Sequence, residues 1–202
     1  MKNRFYEVLK SIVLAASAVT LVLVSPMIAK SETKELHKVA ALKSEAQWKD
    51  FYAVPGACSM KFPEKPEHFT EKMNVPDEGY DLRYDAYIST VDKQMIFMLL
   101  IAQYPTFVDE SYAQMSLEGF LNGILRHNPG NQLIFADLLL VDGREALDFF
   151  IRTGGVYFKG RAMMVKNSLY LMAMECEVQH YDEKPYNTFV NSFSLAQDKK
   201  ER

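Results

Sequence analysis

The sequence contains no Gly-rich phosphate loop, no Gly-x-Ser-x-Gly nucleophile elbow and no His-Glu-x-x-His pair. Those absences remove the nucleotide, serine-hydrolase and zinc-protease readings at the level of motif. Histidine is scarce: His37, His68, His127 and His180 are scattered, and none has a partner at zinc-ligand spacing. There are 2 cysteines, Cys58 and Cys176, too few for a disulfide scaffold. An excess of basic charge is also missing. The chain carries 23 Lys and Arg against 26 Asp and Glu, a net charge of -3. A mildly acidic protein lacks the footprint of a nucleic-acid binder. No internal repeat and no low-complexity tract breaks the chain.

What is present is ordinary globular composition, 49% hydrophobic and 24% charged over 202 residues. Its start is different. Lys2, Arg4 and Lys10 precede an uncharged apolar run from Ser11 to Val24, followed by Pro26 and the small residues Ala29 and Ser31. This is the order of a secretory signal. The same stretch is about long enough to span a bilayer, so residues 1–31 are expected to be a signal peptide or a membrane anchor. Either way the remainder is exported, to the periplasm or the outer face of the cytoplasmic membrane. The expected partner is then another envelope protein, with membrane contact only through an uncleaved N-terminal segment.

Residues 32–56 are expected to form a helical linker, because Leu36, Val39 and Ala40, then Trp48, Phe51 and Tyr52, have helical spacing. Pro55-Gly56 ends it. From Ala57 onward the pattern is mostly of period two. Strands are expected at Ala57–Phe62, His68–Val75, Tyr80–Val91 (half-buried) and Gln94–Tyr104 (apolar on both faces, hence central). Two hairpins follow, around Asp142-Gly143 and Lys166-Asn167. Leu117, Phe120, Leu121, Ile124 and Leu125 mark a helix, with Ser111 and Gln114 as a capping box and Asn128-Pro129-Gly130 as its stop. Tyr186, Phe189, Val190 and Phe193 mark a last helix after Asp182, and residues 196–202 are expected to be a disordered tail. Hairpin-joined strands with helices outside the sheet make an α+β domain over 57–195.

Met60-Lys-Phe-Pro-Glu-Lys-Pro66, the long helix after the central strand, and Leu169-Tyr-Leu171 before Phe189-Val-Asn-Ser-Phe-Ser-Leu195 resemble the PsbP-like superfamily, which includes the Ran-binding Mog proteins and bacterial DcrB-like proteins. The resemblance implies an antiparallel sheet sandwiched by helices and a binding or assembly role without catalysis. It carries over no catalytic residue, no cofactor and no metal.

Three residue sets hold candidate chemistry. Cys58 and Cys176 lie on the first and last strands, where export permits a disulfide. Met172, Met174 and Cys176 share a strand face opposite Met163 or Met164; soft sulfur suits copper(I), but methionine is a routine filler of cores, and packing is the expected role of the set. Arg144, Asp148 and Arg152, then Lys159 and Arg161, then Glu175 and Glu177, alternate along three neighbouring strands and predict a charged face, either a solvated lattice or a binding surface. The functional expectation is a non-enzymatic extracytoplasmic binding or assembly factor. The alternatives are a holdase using methionine-rich strands, or a hydrolase or metal-binding protein whose site has no sequence signature.

Overall fold

The computed structural model describes residues 48–75, 79–92 and 94–196. The expected export segment, residues 32–47 of the expected linker and residues 197–202 lie outside the described residues.

Seven antiparallel strands form the main layer: β3 (Glu67–Val75), β4 (Tyr80–Val91), β5 (Met95–Gln103), β6 (Asn131–Val141), β7 (Arg144–Thr153), β8 (Val156–Val165) and β9 (Ser168–Glu177). Their spatial order is β3-β4-β5-β9-β8-β7-β6. β5, which has no charged residue, and β9, which has none before Glu175, sit inside the sheet, where both faces are covered. The turns follow local chemistry: Asp142 and Gly143 at φ 50 and 76° close β6–β7, the conformation an Asp-Gly hairpin favours.

Each face of this sheet has its own core. On one, α1 (Ala113–His127) lays Leu117, Phe120, Leu121 and Ile124 against Leu100, Phe149, Ile151 and Leu171. On the other sits a three-stranded sheet of β1 (Lys49–Ala53), β2 (Cys58–Phe62) and β10 (Ser194–Leu195), in the order β1-β2-β10. It is joined there by α2 (Glu183–Asn191), whose Tyr186, Phe189 and Val190 face inward. The molecule is thus an α+β sandwich with the large sheet in the middle.

Four expectations are corrected. Phe51 and Tyr52 lie on a strand, not a helix: β1 pairs with β2 in the register Phe51↔Met60 and Tyr52↔Ser59, and Ala53 is buried while Tyr52 is 53% exposed. Three apolar residues fit both periods, and pairing with β2 decided between them. β4 is covered on both faces from Tyr84 to Ser89, because the small sheet packs on the side left to solvent in the sequence reading. The capping box at Ser111 and Gln114 is not formed: the Asp109 carboxylate accepts the Ser111 N–H and hydroxyl and caps a short 3₁₀ turn (Glu110–Tyr112), α1 follows it without a side-chain cap, and Gln114 bonds Glu118 instead. Finally, Ser194–Leu195 adds a strand beside β2, two residues too short to show a period.

Candidate functional site

β7 and β8 bring Asp148 opposite Arg161 and Phe150 opposite Lys159, all on the face that α2 crosses. Asp182 starts α2 by accepting the Lys184 N–H. The helix then sets Glu183 and Tyr186 over the sheet. Arg161 holds Asp148 through two parallel hydrogen bonds of 2.6 and 2.7 Å, the fork geometry that guanidinium and carboxylate share. Hydrogen bonding to Asp148 pushes the Arg161 pKa up, against the downward pull of its burial.

Lys159 is only 8% exposed. Its ammonium donates to Glu183 and lies 4.7 Å from the Tyr186 ring centre, 5.3 Å from Phe150, 5.5 Å from Phe135 and 6.0 Å from Tyr181. Four ring faces and one carboxylate replace its water. Burial pushes the Glu183 carboxyl up, but hydrogen bonds from Lys159 and Tyr181 outweigh it, and the net shift is downward. Tyr181 is pushed up, first by burial and then by its bond to Glu183. Tyr186 is raised mainly by burial, and its hydroxyl has no hydrogen-bond partner.

The charged face therefore divides. Asp148 and Arg161 pair with each other across β7 and β8, and Lys159 fastens α2 to the sheet through Glu183. Arg144 and Arg152 flank them at the two ends of β7, with the Arg152 Nε on the Gly154 carbonyl. Glu175 and Glu177 do not belong to the face: opposite Phe158 and Val156, they project to the other side, because Met172, Met174 and Cys176 take the inward positions on β9. The expected three-strand lattice is absent for that reason. Tyr181, Glu183 and Tyr186, none of them among the residues expected on the charged face, complete the cluster; the legible hint is one lysine amid the apolar residues of β8.

Seven of the methionines belong to the core. Met60, Met95, Met98, Met163, Met164, Met172 and Met174 are all buried, and Met115 on α1 is exposed. Among the described residues no three His, Cys, Asp or Glu side chains converge on a metal position.

Cys58 and Cys176 are buried free thiols, and the disulfide that export would permit is not formed. Cys58 is on the small sheet and Cys176 on the large one, and stacked sheets lie about 10 Å apart, beyond the roughly 7 Å between Cα atoms that a disulfide tolerates. Burial pushes both thiols up to about 12, with Glu175 and Glu177 adding to the shift at Cys176. Iodoacetamide at pH 8 is expected to leave the native protein untouched and to modify both cysteines once urea unfolds it without reductant. Resistance of the unfolded chain would establish a bridge.

The exposed apolar surface is elsewhere. β6 is a terminal strand of the large sheet, and along it Leu133, Ile134, Leu138 and Leu140 are 45 to 71% exposed. Among the described residues nothing pairs with its outer edge. The opposite edge, β3, is protected by Glu67, His68, Thr70, Glu71 and Lys72, the polar side chains that discourage strand addition. β6 carries one charge, Asp137. It stands opposite Asp148, which is committed to Arg161, and among the described residues Asp137 meets no cation.

The fold is PsbP-like. The solution structure of cyanobacterial PsbP from Synechocystis sp. PCC 6803 superposes with a TM-score of 0.54 at 13% identity, covering 80% of this chain and 98% of that one. A crystal structure from Bacteroides thetaiotaomicron aligns at 12% identity and a TM-score of 0.42, covering 74% of this chain and 48% of that one. No protein-family model and no curated protein matches the sequence.

Proposed function

We propose that this chain is a non-enzymatic binding or assembly factor acting outside the cytoplasm, and that it holds an extended strand of another envelope protein along β6. The observation that carries the reading is the β6 edge. An unpaired strand offers a row of backbone donors and acceptors, and natural edges are normally blunted by charge, proline or cover. β6 has eleven residues and leaves large apolar side chains exposed. Strand addition would satisfy its backbone and cover those side chains together. The occupant is an apolar segment with a basic residue opposite Asp137. A second copy of β6 fits less well, since the strand has neither lysine nor arginine to offer. The PsbP-like fold and the signal-like start of the sequence support the role and the address. The holdase alternative has lost its methionine surface to the core.

A photo-crosslinking residue at Leu138 in the full chain, activated in the host envelope, should join it to one discrete partner. The same residue at Glu71 on the opposite edge should not, and Asp137→Lys should cut the Leu138 adduct at least tenfold. Equal adducts from both edges, an adduct of two copies of this chain, or indifference to Asp137→Lys would overturn the proposal.

A further inference from the structure

The turn between β1 and β2 overhangs the other end of the large sheet. It is held tightly: the Tyr170 hydroxyl donates to the Gly56 carbonyl at 2.8 Å, and the Ala196 N–H donates to the Ala57 carbonyl at 2.7 Å. Gly56 is obligatory there, because a Cβ would stand 2.7 Å from Ile101 Cδ1 and 2.9 Å from Tyr170 Cε1. Beneath the turn is a cavity of about 270 Å³. Val54, Pro55 and Ile101 form its apolar walls, and Arg83, Asp85, Gln103 and Ser168 supply its polar groups.

Asp85 is the unusual member, with a side chain only 4% exposed. Its Oδ1 accepts from the Thr70 hydroxyl at 2.6 Å and from His68 Nε2 at 2.9 Å, and the His68 ring is stacked on Tyr87. The other oxygen, Oδ2, has Arg83 Nε at 3.5 Å, beyond the length of a strong charge-assisted bond. The carboxylate is thus positioned from behind and keeps acceptor capacity, while Arg83, half exposed, has donors to spare.

We infer that this cavity is a binding site for a small zwitterion with an apolar side chain, of the size of a free α-amino acid. A lone anion would face the Asp85 carboxylate, and a lone cation would face Arg83. A ligand with both charges meets each with its opposite and leaves the site neutral, so no charge is buried unpaired. Its ammonium goes to Asp85, its carboxylate to Arg83, with Gln103 and Ser168 as neutral partners, and its side chain to Val54, Pro55 and Ile101. The volume is at the small end of ligand sites and holds several waters that such a ligand would displace.

Titration of the full chain with L-leucine, followed by amide NMR shifts, tests this. Saturable shifts are expected at Val54, Ile101, Gln103 and Ser168. Isoamylamine and 4-methylpentanoate, each with one of the two charges, should bind at least tenfold more weakly. Asp85→Asn and Arg83→Gln should each weaken L-leucine at least tenfold. Should Asp85→Asn fail to fold, the half-exposed Arg83→Gln decides. Absence of saturable shifts at these four residues, equal binding of the single-charge analogues, or full affinity in Arg83→Gln would overturn the inference. β6 is at the far edge of the sheet, so partner docking and zwitterion binding fail independently.

Discussion

Phe189→Ala is expected to destabilise the protein by about 3–5 kcal/mol, the range for deleting a fully buried aromatic ring. Phe189 has no exposed surface. Its ring centre lies 5.2 Å from Phe62, 5.3 Å from Phe97 and 6.4 Å from Trp48. One side chain thus joins α2 to β2, to β5 and to the start of β1. Its removal leaves a cavity shared by two sheets and a helix, which none of them can fill alone. Urea unfolding should show the loss, and the thermal midpoint should fall by roughly 10 °C or more. Phe107→Ala, at a site 67% exposed, serves as the control and should change stability by less than about 0.5 kcal/mol. A loss below about 1 kcal/mol at Phe189 would mean that the helix is not seated as described.

Gly160→Val is expected to cost about 1–3 kcal/mol, with the sign opposite to strand propensity. Valine normally favours a strand over glycine, by up to about 1 kcal/mol. Here the Phe149 ring lies over Gly160 from the neighbouring strand, and a Cβ would meet Phe149 Cζ at 2.7 Å and Leu171 Cδ1 at 3.1 Å. Phe149 has little room to retreat, since Phe120 of α1 and Phe158 of β8 pack against it. Steric conflict exceeds the propensity gain. Phe149→Leu in the Gly160→Val background should recover part of the loss, giving a coupling of at least about 0.5 kcal/mol between the two sites. Strict additivity in the double-mutant cycle would show that the ring and the glycine do not touch.

The elements most legible beforehand were those with many residues in one period. Val156–Val165 and Ser168–Glu177 flank a two-residue turn, and Leu117 through Ile124 repeat over two helical turns, so local pattern and tertiary packing agree. Phe51-Tyr52 was ambiguous because a five-residue strand gives too few repeats to separate a period of two from one of 3.6. The charged face was half legible. Alternation put Asp148, Lys159 and Arg161 on one side, but which side Glu175 and Glu177 shared depended on where β9 turns its methionines. Neither the Lys159 enclosure nor the Asp85 cavity had a motif, because each is assembled from elements far apart in the chain.

The sequence by itself determined the strands and helices from β2 to α2, the hairpin turns and the two helix faces, since these depend on neighbours a few residues apart. Only the tertiary structure decided that a second sheet covers β4, that the thiols are in different layers, that the lysine cluster is fastened under α2, and that β6 is left at an edge. Those outcomes depend on which surfaces meet across the sandwich. A one-dimensional period says which side chains share a face, and packing alone says what that face touches.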